Sequence, residues 1–354
     1  MTRVIDSAGS AYFGEAEGLL RAMRLEEALE SYALAERSGH DPDACAGGRW
    51  MCHMLLGRYE RAWEESDAIA ARCKPDRHRF WDGKPFEGRR VIVRCLHGLG
   101  DTIQFIRYAP LVRERAKTLI VEAQPALKRL IEESRVADAV ITWGEREPEW
   151  DQQIEIVELP RIFRTTLETI PAKIPYLDLP AAAPIAAYDG ATDLKVGIVW
   201  ASSSYNPARS IPLKQMARIF EAPGTAFFSL QAGAERSELA LWRDRIVDAH
   251  TDERCVVPAA ATLKKLDLIV TADTMMAHLA GAMGRPVWTL LPFHCDWRWM
   301  KRGEDSPWYP TMRLFRQPRA GDWESVVDRL QAAIEETIKG RRLVPPGDPG
   351  AQAT

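Results

Sequence analysis

The sequence lacks the features that would indicate a structural metal, a disulfide framework or a nucleic-acid surface. Its cysteines are Cys45, Cys52, Cys73, Cys95, Cys255 and Cys295. They are scattered and include no C-x-x-C pair, which argues against a zinc site and against a disulfide-rich secreted protein. Acidic residues slightly outnumber basic ones, 50 to 47, so the formal net charge is −3. The sequence therefore lacks the excess of basic residues that would indicate binding to nucleic acid.

Long apolar runs are also missing. No uninterrupted stretch approaches the roughly 20 residues that a membrane-spanning helix needs. Residues 1–6 carry no apolar signal region. We therefore expect a cytoplasmic protein without a transmembrane segment, whose association with a membrane could only be peripheral.

Residues 1–75 are predicted to form a helical domain that repeats after 34 positions, with Leu25 matching Tyr59 and Ala28 matching Ala62. This is the period of the tetratricopeptide repeat, and the segment resembles two such repeats with a boundary at Asp41. A generic four-helix cap is the alternative. Because an independent solenoid needs about three repeats, we expect the pair to pack on the next domain or on a second copy in a homodimer.

The rest of the chain has room for two more domains, since 354 residues with 46% hydrophobic content support two or three cores. We predict a linker at 76–88, an α/β domain at 89–185, a second at 190–340 and a disordered tail at 341–354. The predicted strands are 91–95, 118–122, 139–142, 153–157, 194–200, 226–230, 268–271 and 287–291, with helices at 102–115 and 126–133.

The segment 266–286 carries the clearest functional pattern. An apolar strand ends at Asp273 and Thr274, and a helix of small residues follows. The first N–H groups of such a helix and the positive end of its dipole can bind phosphate beyond the strand. A purely structural interpretation stays open, in which Asp273 or Thr274 is only the N-cap and His278 only a semi-buried histidine.

The segment 89–110 repeats this plan, with a glycine turn at Gly98 and Gly100 between strand and helix. A dinucleotide fingerprint would need a third glycine where Ile103 stands, so a redox enzyme is disfavoured. Each strand-turn-helix segment is expected to head its own doubly wound sheet, with its ligand groups at the carboxyl ends of the strands.

Together, the ordered motifs of residues 80–335 resemble glycosyltransferase family 9, the ADP-heptose:lipopolysaccharide heptosyltransferases. The resemblance is closer still to the bacterial branch with N-terminal tetratricopeptide repeats. The motifs are 98–102 with Gln104 and Pro110, Trp200 with 209–213, 228–231, 273–274 with 278–281, 296–299 and 306–310. The resemblance implies an α/β protein of the GT-B fold, in which two Rossmann-like domains face each other across a cleft, here preceded by the all-α segment.

The resemblance also implies a hexosyl- or heptosyl-transferring enzyme that inverts the anomeric carbon in one displacement. Asp101 matches the family's proposed base, which removes the proton of the acceptor hydroxyl. The acceptor is expected near Gly98, Gly100 and Gln104. Members of the family work without a metal ion or a cofactor, because the nucleotide-diphosphate sugar is itself a co-substrate.

On the second domain, backbone amides, hydroxyls and cations are expected to bind the donor and stabilise the leaving diphosphate. The candidates are Ser202, Ser203, Arg209, Gln231, Asp273, Thr274, Met275 and His278. Asp273 would repel phosphate, so it is expected to bind sugar hydroxyls or to cap the helix. His278 either touches phosphate or holds the turn, and Gln231 either contacts the nucleotide or bonds to a loop.

The chain departs from the family at 202–208, where relatives carry Gly-Asn and a longer polar loop. This departure keeps open a second function, a catalytically silent GT-B and tetratricopeptide scaffold that binds partners. For a transferase, the slight acidity and the repeats favour a protein or peptide acceptor docked by the repeats, with a glycan as the alternative. Trp297, Trp299 and Trp308 either stack on a sugar or base or pack between domains.

Overall fold

The computed structural model describes residues 7–73, 80–85, 88–178, 193–202, 206–251 and 254–340. The chain divides into two compact units. The helical unit comprises Met1–Asp82, Pro160–Ile170 and His294–Gly303, and the sheet unit comprises Gly83–Leu159, Pro171–Phe293 and Glu304–Thr354. Residues 76–79, 86 and 87 of the predicted linker and the whole predicted tail at 341–354 lie outside the described residues. Both predicted α/β domains fall in the sheet unit except for Pro160–Ile170 of the first and His294–Gly303 of the second, which belong to the helical unit.

The N-terminal part of the helical unit consists, among its described residues, of helices α1 (Ser7–Arg21), α2 (Leu25–Arg37), α3 (Pro42–Leu55) and α4 (Tyr59–Cys73). The Asp41 side chain caps α3 by accepting the N–H of Asp43, and proline suits the first helical position because it has no N–H to satisfy. The expected helices are confirmed, and their membership of the tetratricopeptide class stays a prediction.

Two later segments of the chain pack on these helices inside the same unit. The Trp297 ring lies edge-on to Trp50 and Tyr59, with ring centroids 5.6 and 6.5 Å away. The Trp63 indole donates to the carbonyl oxygen of Thr165 at 2.7 Å, and the Lys301 ammonium donates to that of Met23 at 2.6 Å. The Trp297 ring thus packs on α3 and α4 within the helical unit, and the packing between domains expected for it stays a prediction.

The first sheet of the sheet unit is parallel, with strand order β3-β2-β1-β4 in the described residues. Its strands are β1 (Arg90–Arg94), β2 (Thr118–Ala123), β3 (Ala139–Thr142) and β4 (Gln152–Glu155). The associated helices are α5 (Leu99–Phe105), α6 (Ala109–Arg113) and α7 (Lys128–Glu133), and α8 (Leu159–Ile162) begins at the last residue of Gly83–Leu159 and continues into the helical unit. The predicted strands are confirmed. The single helix expected at 102–115 is instead α5 and α6 joined by a 3-10 turn at Ile106–Tyr108.

The second sheet is also parallel, and its described strands follow the order β10-β9-β8-β5-β6-β7. They are β5 (Leu194–Val199), β6 (Thr225–Ser229), β7 (Ile246–Asp248), β8 (Leu268–Ala272), β9 (Val287–Leu291) and β10 (Met312–Arg316). Helices α9 (Val257–Leu263), α10 (Met275–Ala282) and α11 (Trp323–Ile338) accompany them. Strands β8 and β9 are buried along their whole length, as expected for a parallel sheet covered on both faces.

The order of the second sheet determines where a ligand could bind. Strand β5 pairs with β8 on one side and with β6 on the other. The chain runs from β5 outward to β7 and then returns to β8, so the gap between β5 and β8 is a topological switch point. Ligands of such sheets bind at the carboxyl ends of the strands there. No helix among the described residues is long and apolar enough to cross a membrane.

Candidate functional site

The carboxyl end of β8 leads directly into α10, as the sequence predicts. Thr274 is the N-cap, because its backbone is extended and its side-chain oxygen accepts the Met276 N–H at 3.2 Å. The Thr271 hydroxyl lies 3.1 Å from that of Thr274 and further fixes the turn. The capping role left open between two residues therefore belongs to Thr274. Met275 is the first residue of α10, where backbone N–H groups have no partner within the helix.

Asp273 is buried beside this helix start, with 3% of its surface exposed. Its Oδ2 atom lies 3.8 Å from Nη1 of Arg209, whose side chain is 24% exposed. The structure thus brings together two predicted donor-binding residues from different loops. Because carboxylate and guanidinium neutralise each other in part, an anion at the helix start meets a smaller repulsion from Asp273.

The loop after β5 carries two more predicted donor-binding residues, Ser202 and Ser203. The Ser202 N–H donates to Oγ of Ser210 at 3.1 Å, and the Ser202 hydroxyl donates to the carbonyl oxygen of Asn206 at 3.0 Å. These bonds tie Ser202 to Asn206 and Ser210, the two residues that flank the 3-10 turn Pro207–Arg209. The predicted contact residue Ser203 lies outside the described residues.

Gln231 is buried and its side-chain amide is engaged with backbone. Its Oε1 atom accepts the N–H groups of Trp200 and Ala201 at 3.0 and 2.9 Å. Its Nε2 atom donates to the carbonyl oxygens of Ala201 and Ala232 at 3.1 and 2.8 Å. The amide therefore holds the loop after β5, which is the structural one of its two predicted roles. Direct contact with a nucleotide stays a prediction.

The glycine turn after β1 is also held by a hydrogen bond between nearby residues. Gly98 is the N-cap of α5, and its N–H donates to Oδ2 of Asp101 at 2.9 Å. Asp101 thereby completes half of a capping box, since it stands at the third position of the helix. Gln104 is fully buried on the same helix. The roles of Asp101 as base and of Gly98 and Gln104 in acceptor binding stay predictions.

Helix α5 lies against α10, and this contact depends on Gly100. A Cβ atom at this position would lie 2.8 Å from Cδ2 of His278, closer than carbon atoms approach without strain. On the other side, Nδ1 of His278 pairs with the Tyr309 hydroxyl at 2.9 Å. The turn that bears Asp101 and the helix that begins after Thr274 are thus neighbours, although they are far apart in the sequence.

A buried guanidinium supports this contact. Arg107 donates from Nη1 to the carbonyl oxygen of Trp308 at 2.7 Å and from Nη2 to the Tyr176 hydroxyl at 3.0 Å. Its charge lies 4.6 Å from the centroid of the Tyr309 ring and 4.7 Å from that of Tyr176. Burial raises the pKa of Tyr309 well above the usual value, so this phenol stays neutral beside His278.

A carboxylate–imidazole pair stands at the adjoining edge of the first sheet. Glu155 ends β4, and its Oε1 atom lies 2.7 Å from Nε2 of His97, whose side chain is 53% exposed. Burial raises the pKa of Glu155, the His97 side chain opposes this, and the nearby Glu158 and Asp101 charges add to it. This pair was not predicted from the sequence, because only the pairing of β1 with β4 brings position 155 beside position 97.

No family model matches the chain. Solved structures of glycosyltransferase family 9 are among its structural neighbours, and they show that the chain has an α/β fold like that of GT-B glycosyltransferases. A family 9 glycosyltransferase from Veillonella parvula is 12% identical with a TM-score of 0.53 and matches 73% of this chain and 100% of its own. The E. coli ADP-heptose lipopolysaccharide heptosyltransferase II is 13% identical with a TM-score of 0.50, and the match covers 71% of this chain and 99% of that one.

One curated relative aligns along nearly the whole chain. Protein FlbA of Caulobacter vibrioides is 25% identical over 380 aligned positions, which cover 94% of this chain. The alignment covers 62% of FlbA, so the chain spans less than two thirds of that protein's length.

Proposed function

We propose that the protein is an inverting, metal-independent glycosyltransferase. It moves a hexosyl or heptosyl group from a nucleotide-diphosphate sugar to a protein, peptide or glycan acceptor. The diphosphate binds at the start of α10, through the N–H groups of Thr274 and Met275 and the guanidinium of Arg209. Asp273 binds sugar hydroxyls, and Asp101 receives the proton of the acceptor hydroxyl as that oxygen attacks the anomeric carbon.

The observation that supports this proposal most is the contact of Gly100 with His278. It brings a candidate base on the turn after β1 next to a candidate phosphate site on the turn after β8. The second support is the position of that phosphate site, which lies at the switch point of the second sheet. Displacement of a diphosphate requires both elements, a base on one side and an anion site on the other.

Two features favour a polypeptide as the acceptor, the net charge of the chain and the surface of the helical unit. A net charge of −3 gives the chain no basic surface excess for an anionic lipid headgroup. The helical unit offers exposed apolar side chains, Tyr12 on α1 and Leu34 on α2, which suit a polypeptide better than a sugar. A peptide acceptor docked there is therefore favoured over a glycan.

One observation supports a second candidate function, that of a catalytically silent scaffold. The Asp101 carboxylate accepts the Gly98 N–H, and a helix cap alone can account for an aspartate at this position. A scaffold would retain the fold and the helical unit but would not need to bind a nucleotide.

Binding of nucleotides separates the two functions. ADP, UDP, GDP and CDP, and ADP-heptose as a first nucleotide sugar, are titrated calorimetrically into the full chain and into the Arg209→Ala and Asp273→Ala variants. The control variants are Arg218→Ala and Asp328→Ala, which break an exposed ion pair between residues away from the turn. Binding of one base, weakened by the first two substitutions and not by the controls, supports the transferase. If the wild type binds none of them, the scaffold is favoured.

A further inference from the structure

The two sheets hold the loops of the site with the same device. In each sheet, a glutamine follows the second strand in chain order, which pairs with the first. Gln124 comes directly after β2, which pairs with β1, and Gln231 comes two residues after β6, which pairs with β5. Both are buried, with 5% and 3% of their surfaces exposed. Each side chain reaches across to the loop that leaves the first strand of its own sheet.

Gln124 holds the turn that carries the candidate base. Its Nε2 atom donates to the carbonyl oxygen of His97 at 2.7 Å. Its Oε1 atom accepts the hydroxyl of Thr102 at 2.9 Å. His97 precedes the N-cap of α5, and Thr102 follows Asp101 on that helix. One amide therefore fixes the chain on both sides of Asp101.

Gln231 holds the loop that leads to Arg209. Its oxygen accepts two N–H groups and its nitrogen donates to two carbonyl oxygens, all from residues 200, 201 and 232. An amide oxygen has two lone pairs and an amide nitrogen has two hydrogens. These four bonds use the full capacity of the side chain, so its contribution is to orient Ala201 and the residue after it, Ser202.

We propose that Gln124 and Gln231 are paired positioning residues, one for each side of the site. Gln124 sets the position of Asp101 on the acceptor side. Gln231 sets the position of Ala201 and Ser202 on the donor side, and Ser202 in turn bonds to Ser210 and Asn206 on either side of the turn that bears Arg209. This assignment rests on the proposed function, and it adds that a lost side-chain amide affects only the ligand on its own side, since each amide is bonded within its own sheet.

The test compares Gln231→Met with Gln124→Met, because methionine keeps the length of the side chain and removes its strong hydrogen bonds. ADP and UDP are titrated into each full-length variant, and the melting temperature is recorded alongside. We expect Gln231→Met to raise the Kd of the nucleotide that binds by about tenfold, since misplacement of binding groups is costly. Gln124→Met should leave that Kd within about twofold, even though it also loses buried hydrogen bonds.

A purely structural role predicts a different result, in which both variants melt earlier and their nucleotide affinities change in parallel. Equal weakening by the two substitutions, or unchanged affinity in Gln231→Met, would overturn the assignment. If the methionine variants do not fold, Gln231→Glu and Gln124→Glu replace them, since glutamate keeps the accepting oxygen and both variants carry the same added charge. If the folded wild type binds neither ADP nor UDP, the proposed function fails and this assignment fails with it.

Discussion

Replacing Gly100 with alanine should destabilise the sheet unit, although alanine is the better helix former. The added Cβ would lie 2.8 Å from Cδ2 of His278. The imidazole has little room to retreat, because it is buried and its Nδ1 is bonded to the Tyr309 hydroxyl. Overpacking of this kind costs about 1–3 kcal/mol, and the better helix propensity returns about 0.5–1 kcal/mol. The free energy of unfolding should therefore fall by about 1 kcal/mol at mid-range values, and by at most about 2.5 kcal/mol.

The matched control is Gly47→Ala on α3, where an added Cβ meets no atom within 4 Å. That substitution should stabilise its helix by about 0.5–1 kcal/mol. Urea unfolding of both variants gives the comparison. In a His278→Ala background, Gly100→Ala should cost less than it does in the wild type, because the smaller side chain removes the clash. If Gly100→Ala is as stable as the wild type or more so, the close contact of α5 with α10 is wrong.

Three further substitutions test the surroundings of this contact. Burial raises the pKa of Glu155 in the folded chain. The stability that this carboxyl contributes is therefore present below the ordinary carboxyl pKa and is lost as pH rises through the raised pKa. The melting temperature of Glu155→Gln, measured relative to that of the wild type, should rise between pH 4 and pH 7. Tyr309→Phe removes the hydroxyl that pairs with His278, and urea unfolding should show a loss of about 1 kcal/mol; no loss would mean that the pair contributes nothing. Arg107→Lys keeps the charge but not the planar fork, and we expect a loss of about 2–3 kcal/mol in the same assay; a lysine that matched arginine would contradict the aromatic packing described.

Local patterns in the sequence predict much of the fold. The apolar runs that form β1, β8 and β9 were predicted within a residue or two, because parallel strands buried on both faces read as continuous apolar segments. Strand β7 was missed because it has three residues, and β10 because arginines interrupt its apolar pattern. The helix expected at 102–115 is broken at Ile106–Tyr108, where Arg107 makes bonds to distant residues that no local pattern records.

Only part of the candidate site could be predicted from the sequence. The start of α10 after Asp273 follows from short-range chemistry, and a capping residue was foreseen there. The pairing of His97 with Glu155 and the contact of Gly100 with His278 depend on strand order and on helix packing, which periodicity does not contain. The role of Gln124 could have been predicted from its position in the sequence, because it follows β2 much as Gln231 follows β6.

The central claim is that the diphosphate of a nucleotide sugar binds at the start of α10. A crystal structure of the full chain with the best-binding nucleotide of the calorimetric panel tests it most directly. We expect a phosphate oxygen about 3 Å from the Met275 N–H, with the Thr274 N–H and the Arg209 guanidinium on the same diphosphate. A nucleotide bound elsewhere, with that helix start unoccupied, would contradict the account.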